Sequence, residues 1–188
     1  QLFVLEDPDG LAPSSVQLAA GILRFHEQRY DEAIALMEAS GLGDPTGYLA
    51  LAKAARGVTA GDARVESHHF VITHSKGKEA VLVPYLQEAL EAQRAVLGKA
   101  LGYEPPGRFT VELVDTPSEL AKVSTLSDEE IRTSGTVAVC KFNKLMILSP
   151  KALLKGYDWL DTAAHEYTHL VLTRVSRNRA PIWLQEGL

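Results

Sequence analysis

The sequence predicts an α+β protein, in which a helical segment over residues 1–60 precedes a domain over residues 61–188 that combines helices with a small mixed or antiparallel sheet. Three observations support this prediction. Apolar residues recur at helical spacing through the first part of the chain. Short runs rich in β-branched and aromatic residues follow them. Near the end, a stretch free of glycine and proline carries two histidines at helical spacing.

Composition and charge restrict the function classes. The chain has 188 residues, of which 46% are hydrophobic and 23% are charged, so it can fold around a substantial core. A net charge of −5 without a basic block argues against nucleic acid or an anionic membrane surface as the main partner. No apolar run approaches the roughly 18 residues of a membrane span. Cys140 is the single cysteine, which excludes an internal disulfide and a cysteine-type zinc site.

The first residue is glutamine, so we expect the chain to be processed or cut from a longer one. The sequence leaves its compartment open, because one free cysteine is compatible with both cytoplasm and periplasm.

The first sixty residues predict an entry segment and three helices. The segment covers residues 1–12, and the helices cover about 14–25, 28–37 and 47–55. Ala20-Gly21 followed by Tyr30-Asp-Glu-Ala-Ile34 resembles a tetratricopeptide helix pair. The resemblance implies a docking surface for a protein partner. The alternative is a structural brace on the following domain, since so few repeats do not form a stable solenoid.

The second part of the chain alternates strands and helices after a composition shift near Gly57. The expected elements are a strand over 64–73, a long helix over 79–101, a strand over 109–114, short helices from Pro117 and Asp128, and a hairpin of 135–140 with 144–148. His68, His69 and His74 lie on or beside the first strand. Neighbouring strand residues point to opposite faces, so we interpret these histidines as surface or hydrogen-bonded side chains.

The motif His165-Glu166-x-x-His169 lies in the stretch that contains no helix breaker. A spacing of four places both imidazoles on one helix face, where they can reach one Zn²⁺ at about 2.0–2.1 Å. Glu166 projects towards the same side and can hold a water that the metal polarises. Asp161, one turn earlier, is either a helix N-terminal charge or a group that orients a histidine.

A third ligand is expected in the next stretch. Pro181 suits the first turn of a short helix, and Glu186 follows seventeen positions after His169. We expect Trp183 and Leu184 to bury this helix against the histidine helix.

The motif pair, H-E-x-x-H followed by P-x-W-L-x-E-G-L, resembles the gluzincin metallopeptidases and in particular the peptidase MA-like group. The resemblance is strong over residues 158–188 and weaker back to Lys78. It implies a zincin-like domain, one zinc ion per chain held by His165, His169 and Glu186, and Glu166 as the general base for a zinc-activated water. It also implies a peptide or protein substrate.

In gluzincin-like folds a small sheet precedes the zinc helix, and its edge strand borders the cleft. The candidate edge comprises Gly135, Thr136, Val137, Ala138 and Val139, which could pair with an extended peptide. The alternative is that this strand lies within the sheet. The family's acidic residue one turn after the third ligand, and its oxyanion-stabilising residue, would lie beyond Leu188. We therefore expect a C-terminal truncation, and Tyr157 is the candidate oxyanion donor within the chain.

Two further functions remain open on the sequence alone. The helical segment could be a protein-interaction module, with a zinc site that is structural or inactive. Alternatively, the zinc site could hydrolyse a non-peptide amide. A substitution of Glu166 would distinguish a catalytic site from a structural one, because only catalysis needs a general base.

Overall fold

The computed structural model describes residues 14–187, so the expected entry segment lies outside the described residues. The fold is α+β, with a small mixed sheet. The chain divides into two compact units, one ending at Val58 and the other beginning at Thr59. None of the helices in the described part is both long and apolar enough to cross a membrane.

The first unit contains three helices: α1 (Ser14–His26), α2 (Tyr30–Ala39) and α3 (Tyr48–Thr59). Its core includes Phe25, whose ring contacts those of Tyr30 and Tyr48 at centroid distances of 5.7 and 5.2 Å. Gly21 permits the close approach of α1 and α2, because a Cβ there would stand 2.5 Å from the Cγ of Met37.

The second unit contains a five-stranded sheet with helices. Its elements are β1 (Ala63–Glu66), β2 (Phe70–His74), α4 (Val83–Leu101), β3 (Phe109–Val114), α5 (Pro117–Val123), α6 (Asp128–Ser134), β4 (Ala138–Lys141), β5 (Lys144–Leu148), α7 (Trp159–Val175) and α8 (Ile182–Gln185). The strand order is β1-β2-β3-β5-β4. Strands β2, β3 and β5 are parallel, while β1 and β4 run antiparallel to their neighbours.

The single strand expected over residues 64–73 is wrong, because the chain turns back on itself and forms β1 and β2. A carboxylate from α4 stabilises the turn: Glu91 accepts hydrogen bonds from the Ser67 hydroxyl at 2.7 Å and from the His69 backbone N–H at 3.0 Å. This support comes from a distant part of the chain, so local alternation of side chains does not reveal the turn.

The hairpin of β4 and β5 begins later than expected. Gly135 ends α6 in the left-handed conformation (φ 70°) and β4 begins at Ala138, so Gly135, Thr136 and Val137 of the predicted edge precede the strand. The two central residues of the tight turn, Phe142 and Asn143, have φ of 55° and 60°, as in the primed turns that suit two-residue hairpins. Among residues 14–187, β4 has β5 as its one strand neighbour and therefore forms an edge.

One face of the sheet packs against α4 and α7. The side chains that form this core include Phe70, Ile72, Leu86, Leu90, Phe109, Val111, Leu113, Leu145, Ile147, Tyr167, Leu170 and Val171. Tyr167 stands edge-on to the rings of Phe70 and Phe109, at centroid distances of 5.2 and 5.5 Å. Helix α7 is therefore fixed on the sheet by its apolar face, as its periodicity predicts.

A buried ion pair crosses the two central strands. Lys144 of β5 donates a hydrogen bond to Glu112 of β3 at 2.6 Å, and both side chains are 2% exposed. In the register of β3 and β5, Glu112 lies opposite Met146 and Lys144 lies opposite Thr110. The ion pair therefore links positions of the two parallel strands that are not directly opposite each other. Burial lowers the pKa of Lys144, and the charge and hydrogen bond of Glu112 oppose this effect.

Candidate metal centre

Contacts from α4 to the residues between the two motif histidines hold helix α7 in position. The Arg94 guanidinium on α4 approaches the Tyr167 hydroxyl at 3.4 Å, and the Gln93 amide donates to the Thr168 hydroxyl at 3.1 Å. Tyr167 and Thr168 are both buried. Because these contacts lie within the motif itself, they fix the rotation of α7 and direct the opposite face away from the core.

His165 and His169 meet on that opposite face. Their Nε2 atoms are 2.8 Å apart, and their rings stand nearly perpendicular with centroids 4.4 Å apart. A neutral imidazole has one ring N–H and one ring nitrogen with a free lone pair. The two Nε2 atoms can therefore share a proton, or direct both lone pairs at one cation. The expected convergence of the two rings is observed.

Glu186 directly follows α8 and faces the histidine pair. Its carboxylate oxygens lie 3.8 Å from Nε2 of His165 and 3.7 Å from Nε2 of His169. The turn that carries it is tied by a hydrogen bond of 2.8 Å from the Gln185 side chain to the Ala180 carbonyl. The carboxylate thus stands opposite two imidazoles that are seventeen and twenty-one positions earlier in the chain.

These three side chains have the dimensions of a zinc ligand set. Ligand atoms around a tetrahedral zinc ion at about 2.0–2.1 Å would be roughly 3.3–3.4 Å apart. The observed separations of 2.8, 3.7 and 3.8 Å lie on either side of that value. Two imidazoles and a carboxylate are also the donor set of a known class of catalytic zinc site. The residues therefore fit the metal after small side-chain movements.

Glu166 completes the cluster from the side of the sheet. Ligand atoms of His165, Glu166 and His169 all lie within 4.8 Å of one another. Burial raises the pKa of the Glu166 carboxyl, while the neighbouring histidines and a backbone hydrogen bond from Cys140 favour its charged form. Its carboxylate is thus held partly desolvated beside the two imidazoles, in an environment that favours proton uptake.

The expected burial of the short helix α8 against α7 is wrong. Trp183 is 75% exposed and Leu184 is 36% exposed. The side chain of Trp183 is thus largely open to solvent and does not anchor α8 on α7.

Two other residues singled out in the sequence have definite positions. Asp161 is exposed in the first turn of α7, where a negative charge suits the helix dipole. Tyr157 donates its hydroxyl hydrogen bond to the Leu148 carbonyl, and burial raises the pKa of the phenol. The proposed role of Tyr157 as an oxyanion donor is therefore contradicted, because its proton is committed to the sheet.

The second unit contains three further histidines, which lie in or beside β2. His69 contacts the Glu91 carboxylate at 2.7 Å through Nδ1, and the His68 ring centroid is 6.2 Å from that of His69. His74 is buried, and its Nδ1 lies 2.7 Å from the Ser75 carbonyl oxygen. These hydrogen bonds account for the positions of the His69 and His74 side chains.

Sequence reasoning missed the contribution of Cys140. Its backbone favours the charged form of Glu166, while burial chiefly, and the charge of Glu166 further, raise the pKa of its partly buried thiol to about 12. A second missed contact joins the same two elements, since Arg174 of α7 donates to the Asn143 side chain in the β4–β5 turn. Both contacts join elements that are distant in the chain, so local residue patterns do not reveal them.

No family model matches this chain, and no curated protein matches it. The geometry of the cluster and of the neighbouring edge strand therefore carries the functional interpretation.

Proposed function

We propose that the chain is a zinc-dependent metallopeptidase of the gluzincin type, with His165, His169 and Glu186 as zinc ligands and Glu166 as general base. One observation carries the proposal: side chains from two separate motifs meet, with both histidine Nε2 atoms 3.7–3.8 Å from the Glu186 carboxylate. If the two histidines were four positions apart only by coincidence, there would be no reason to expect a carboxylate from a later part of the chain to face them.

The surrounding fold supports a zincin-like domain. The motif helix α7 packs on a mixed sheet, and an antiparallel edge strand, β4, lies beside it. A short second helix, α8, then brings the third ligand. This is the arrangement that the resemblance to gluzincins implies, and it places the cluster at an accessible edge.

The chemistry divides between the metal and Glu166. When bound, zinc supplies a Lewis acid that polarises the scissile carbonyl and lowers the pKa of the attacking water. Glu166 takes a proton from that water at its carboxylate oxygen and afterwards delivers it to the leaving amine. The nearby backbone of Cys140 favours the charged form of this carboxylate, which is the form that accepts the proton.

The edge strand β4 offers a place for an extended peptide substrate. The N–H and C=O groups of an edge strand can pair with a peptide backbone, which contributes affinity without demanding a particular sequence. Because Cys140 of β4 also contacts Glu166, a peptide paired along this edge would run past the general base. Peptide bonds are therefore favoured over small non-peptide amides as the substrate class.

Exposure of the cluster favours catalysis over a structural metal. The side chains of His165 and Glu186 are 39% and 61% exposed. Structural zinc sites are closed by four protein ligands, whereas catalytic sites retain an open position. The alternative, a helical interaction module with a structural zinc site, has no need of a partly desolvated glutamate beside the ligands.

The deciding experiment compares the zinc-loaded protein with Glu166→Gln on a quenched-fluorescent peptide library. Glutamine keeps the shape and accepts the Cys140 hydrogen bond, but it does not accept the proton. Turnover should fall by roughly 10²–10⁴-fold while zinc content is unchanged. Glu88→Gln, at an exposed glutamate on α4, is the matched control. Equal turnover in Glu166→Gln, or no hydrolysis by the zinc-loaded parent, would overturn the proposal.

A further inference from the structure

We infer that a cavity at the N-terminal end of β4 receives a large apolar side chain of the bound peptide, about three residues from the position that faces Glu166. The inference rests on the proposed function in one respect, namely that the ligand is an extended peptide. It adds a determinant of specificity that is remote from the metal ligands.

The cavity has a volume of about 560 Å³ and lies between the sheet edge and helices α5 and α6. Ligand pockets in proteins commonly measure roughly 300–1,000 Å³. Its walls include Ser118 of α5, Ile131 of α6, Val137, Leu148 and Leu153. The cavity is thus large enough for any natural side chain and is largely apolar.

The hydrogen-bond pattern shows which groups of β4 point outwards. The Leu148 N–H donates to the Val137 carbonyl at 2.8 Å, in register with the rest of the β4–β5 pairing. Hydrogen-bonded pairs alternate along an antiparallel ladder, so the backbone groups of Ala138 and Cys140 point away from β5. A peptide on this edge would therefore pair with Ala138.

Side-chain alternation then relates the cavity to the metal cluster. Ala138 and Ile147 face the core beneath α7, so Val137 and its partner Leu148 face the opposite side, where both line the cavity. Directly opposite residues of neighbouring strands place their side chains on the same face. A peptide residue opposite Val137 thus directs its side chain to the cavity, three positions from the residue opposite Cys140.

The lining indicates the chemistry of the occupant. Ile131, Val137 and Leu148 supply apolar surface. The exposed Ser118, Asp128 and Arg132 border the cavity from α5 and α6, and Asp128 and Arg132 carry opposite charges. Arg132 pairs with Glu129, which offsets its charge. A large apolar side chain such as leucine, methionine or phenylalanine is therefore favoured over an acidic or basic one.

The test separates peptide binding from hydrolysis. Zinc-loaded Glu166→Gln protein selects binders from a phage-displayed library of random linear peptides, and the selected sequences are synthesised for affinity measurement. Ser118→Trp in the same background fills the cavity from an exposed helical position. Lys122→Trp, one turn later on α5, is the matched control, since Lys122 is exposed and does not line the cavity. Circular dichroism verifies the fold of each variant, and turnover of the same peptides is measured with Glu166 intact.

The expected result is a large apolar residue at one fixed position of the selected peptides. Ser118→Trp should weaken these peptides roughly tenfold, the order expected for losing a buried apolar side chain, and Lys122→Trp should not. Peptides without an apolar preference, or equal affinity in Ser118→Trp, would overturn the cavity assignment even if peptides are cleaved. Conversely, the apolar preference without any turnover would support the cavity and reject the peptidase.

Discussion

The backbone of Cys140 lies beside the carboxylate of Glu166 and favours its charged form, so the edge strand β4 meets the histidine-bearing helix α7 at this point. The N–H of Cys140 points away from β5, so it is not needed for the sheet ladder. The contact places the proposed general base beside the surface that a peptide would occupy. It suggests that the edge strand both receives substrate and orients the base.

Removing this N–H should lower turnover without unfolding the sheet. Proline at position 140 lacks the donor, and proline is tolerated on edge strands where no ladder hydrogen bond is lost. Hydrogen bonds to charged groups contribute about 1.5–3 kcal/mol, so kcat should fall roughly 10- to 100-fold in Cys140→Pro. Cys140→Ser keeps the backbone N–H and should behave as the parent. A proline variant that folds, binds zinc and retains full kcat would contradict this role.

The buried pair of Lys144 and Glu112 should be sensitive to the loss of either partner. Lys144→Met leaves a carboxylate buried without its ammonium partner, which typically destabilises a protein by about 3–5 kcal/mol. The double variant Lys144→Met with Glu112→Leu should recover much of this loss, because neither charge is then buried. Urea unfolding measures both values. A change below about 1 kcal/mol in the single variant would show that the pair is not essential to the sheet.

The hydrogen bonds of Glu91 predict that its contribution to the free energy of unfolding depends on pH. Burial raises the pKa of this carboxyl, but hydrogen bonds from His69 and Ser67 outweigh that effect, so its pKa in the folded protein is lowered. A lowered pKa stabilises the fold above the pKa of the unfolded chain, and the stabilisation is lost as pH falls through the folded value.

We therefore expect Glu91→Gln to destabilise the protein by about 1 kcal/mol near neutral pH. The difference from the parent should shrink in acid, below the ordinary pKa of a glutamate. Unfolding by urea at a series of pH values measures it. Glu88→Gln, at an exposed position one turn earlier, should show no such dependence. A pH-independent difference for Glu91→Gln would contradict the assignment.

How far the sequence predicts this protein depends on the range of the interactions involved. The repeat of an α-helix is set by residues close together in the chain, so the meeting of His165 and His169 follows from their spacing alone. Glu186 is expected as the third ligand from the stretch that follows α7, and the resemblance of its motif supports it, but the spacing does not specify how α8 returns to α7. The turn between β1 and β2 was missed, since Glu91, which stabilises it, belongs to a later helix.

Strand order explains the remaining differences. Lys144 occupies a strand that the sequence predicts, but its burial depends on Glu112 lying on the adjacent parallel strand β3. The contact of Cys140 with Glu166 likewise depends on β4 being the strand beside α7. Neither adjacency can be read from local alternation of side chains, which gives the faces of a strand and not its neighbours.

The most direct test of the proposed site is zinc stoichiometry, measured by elemental analysis after loading and extensive buffer exchange. The account predicts about one zinc per chain in the parent and in Glu166→Gln, with strongly reduced binding in His165→Ala, His169→Ala and Glu186→Ala. Glu88→Ala is the control for a lost surface carboxylate. A folded parent that binds no zinc, or zinc binding that survives all three ligand substitutions, would contradict the central claim.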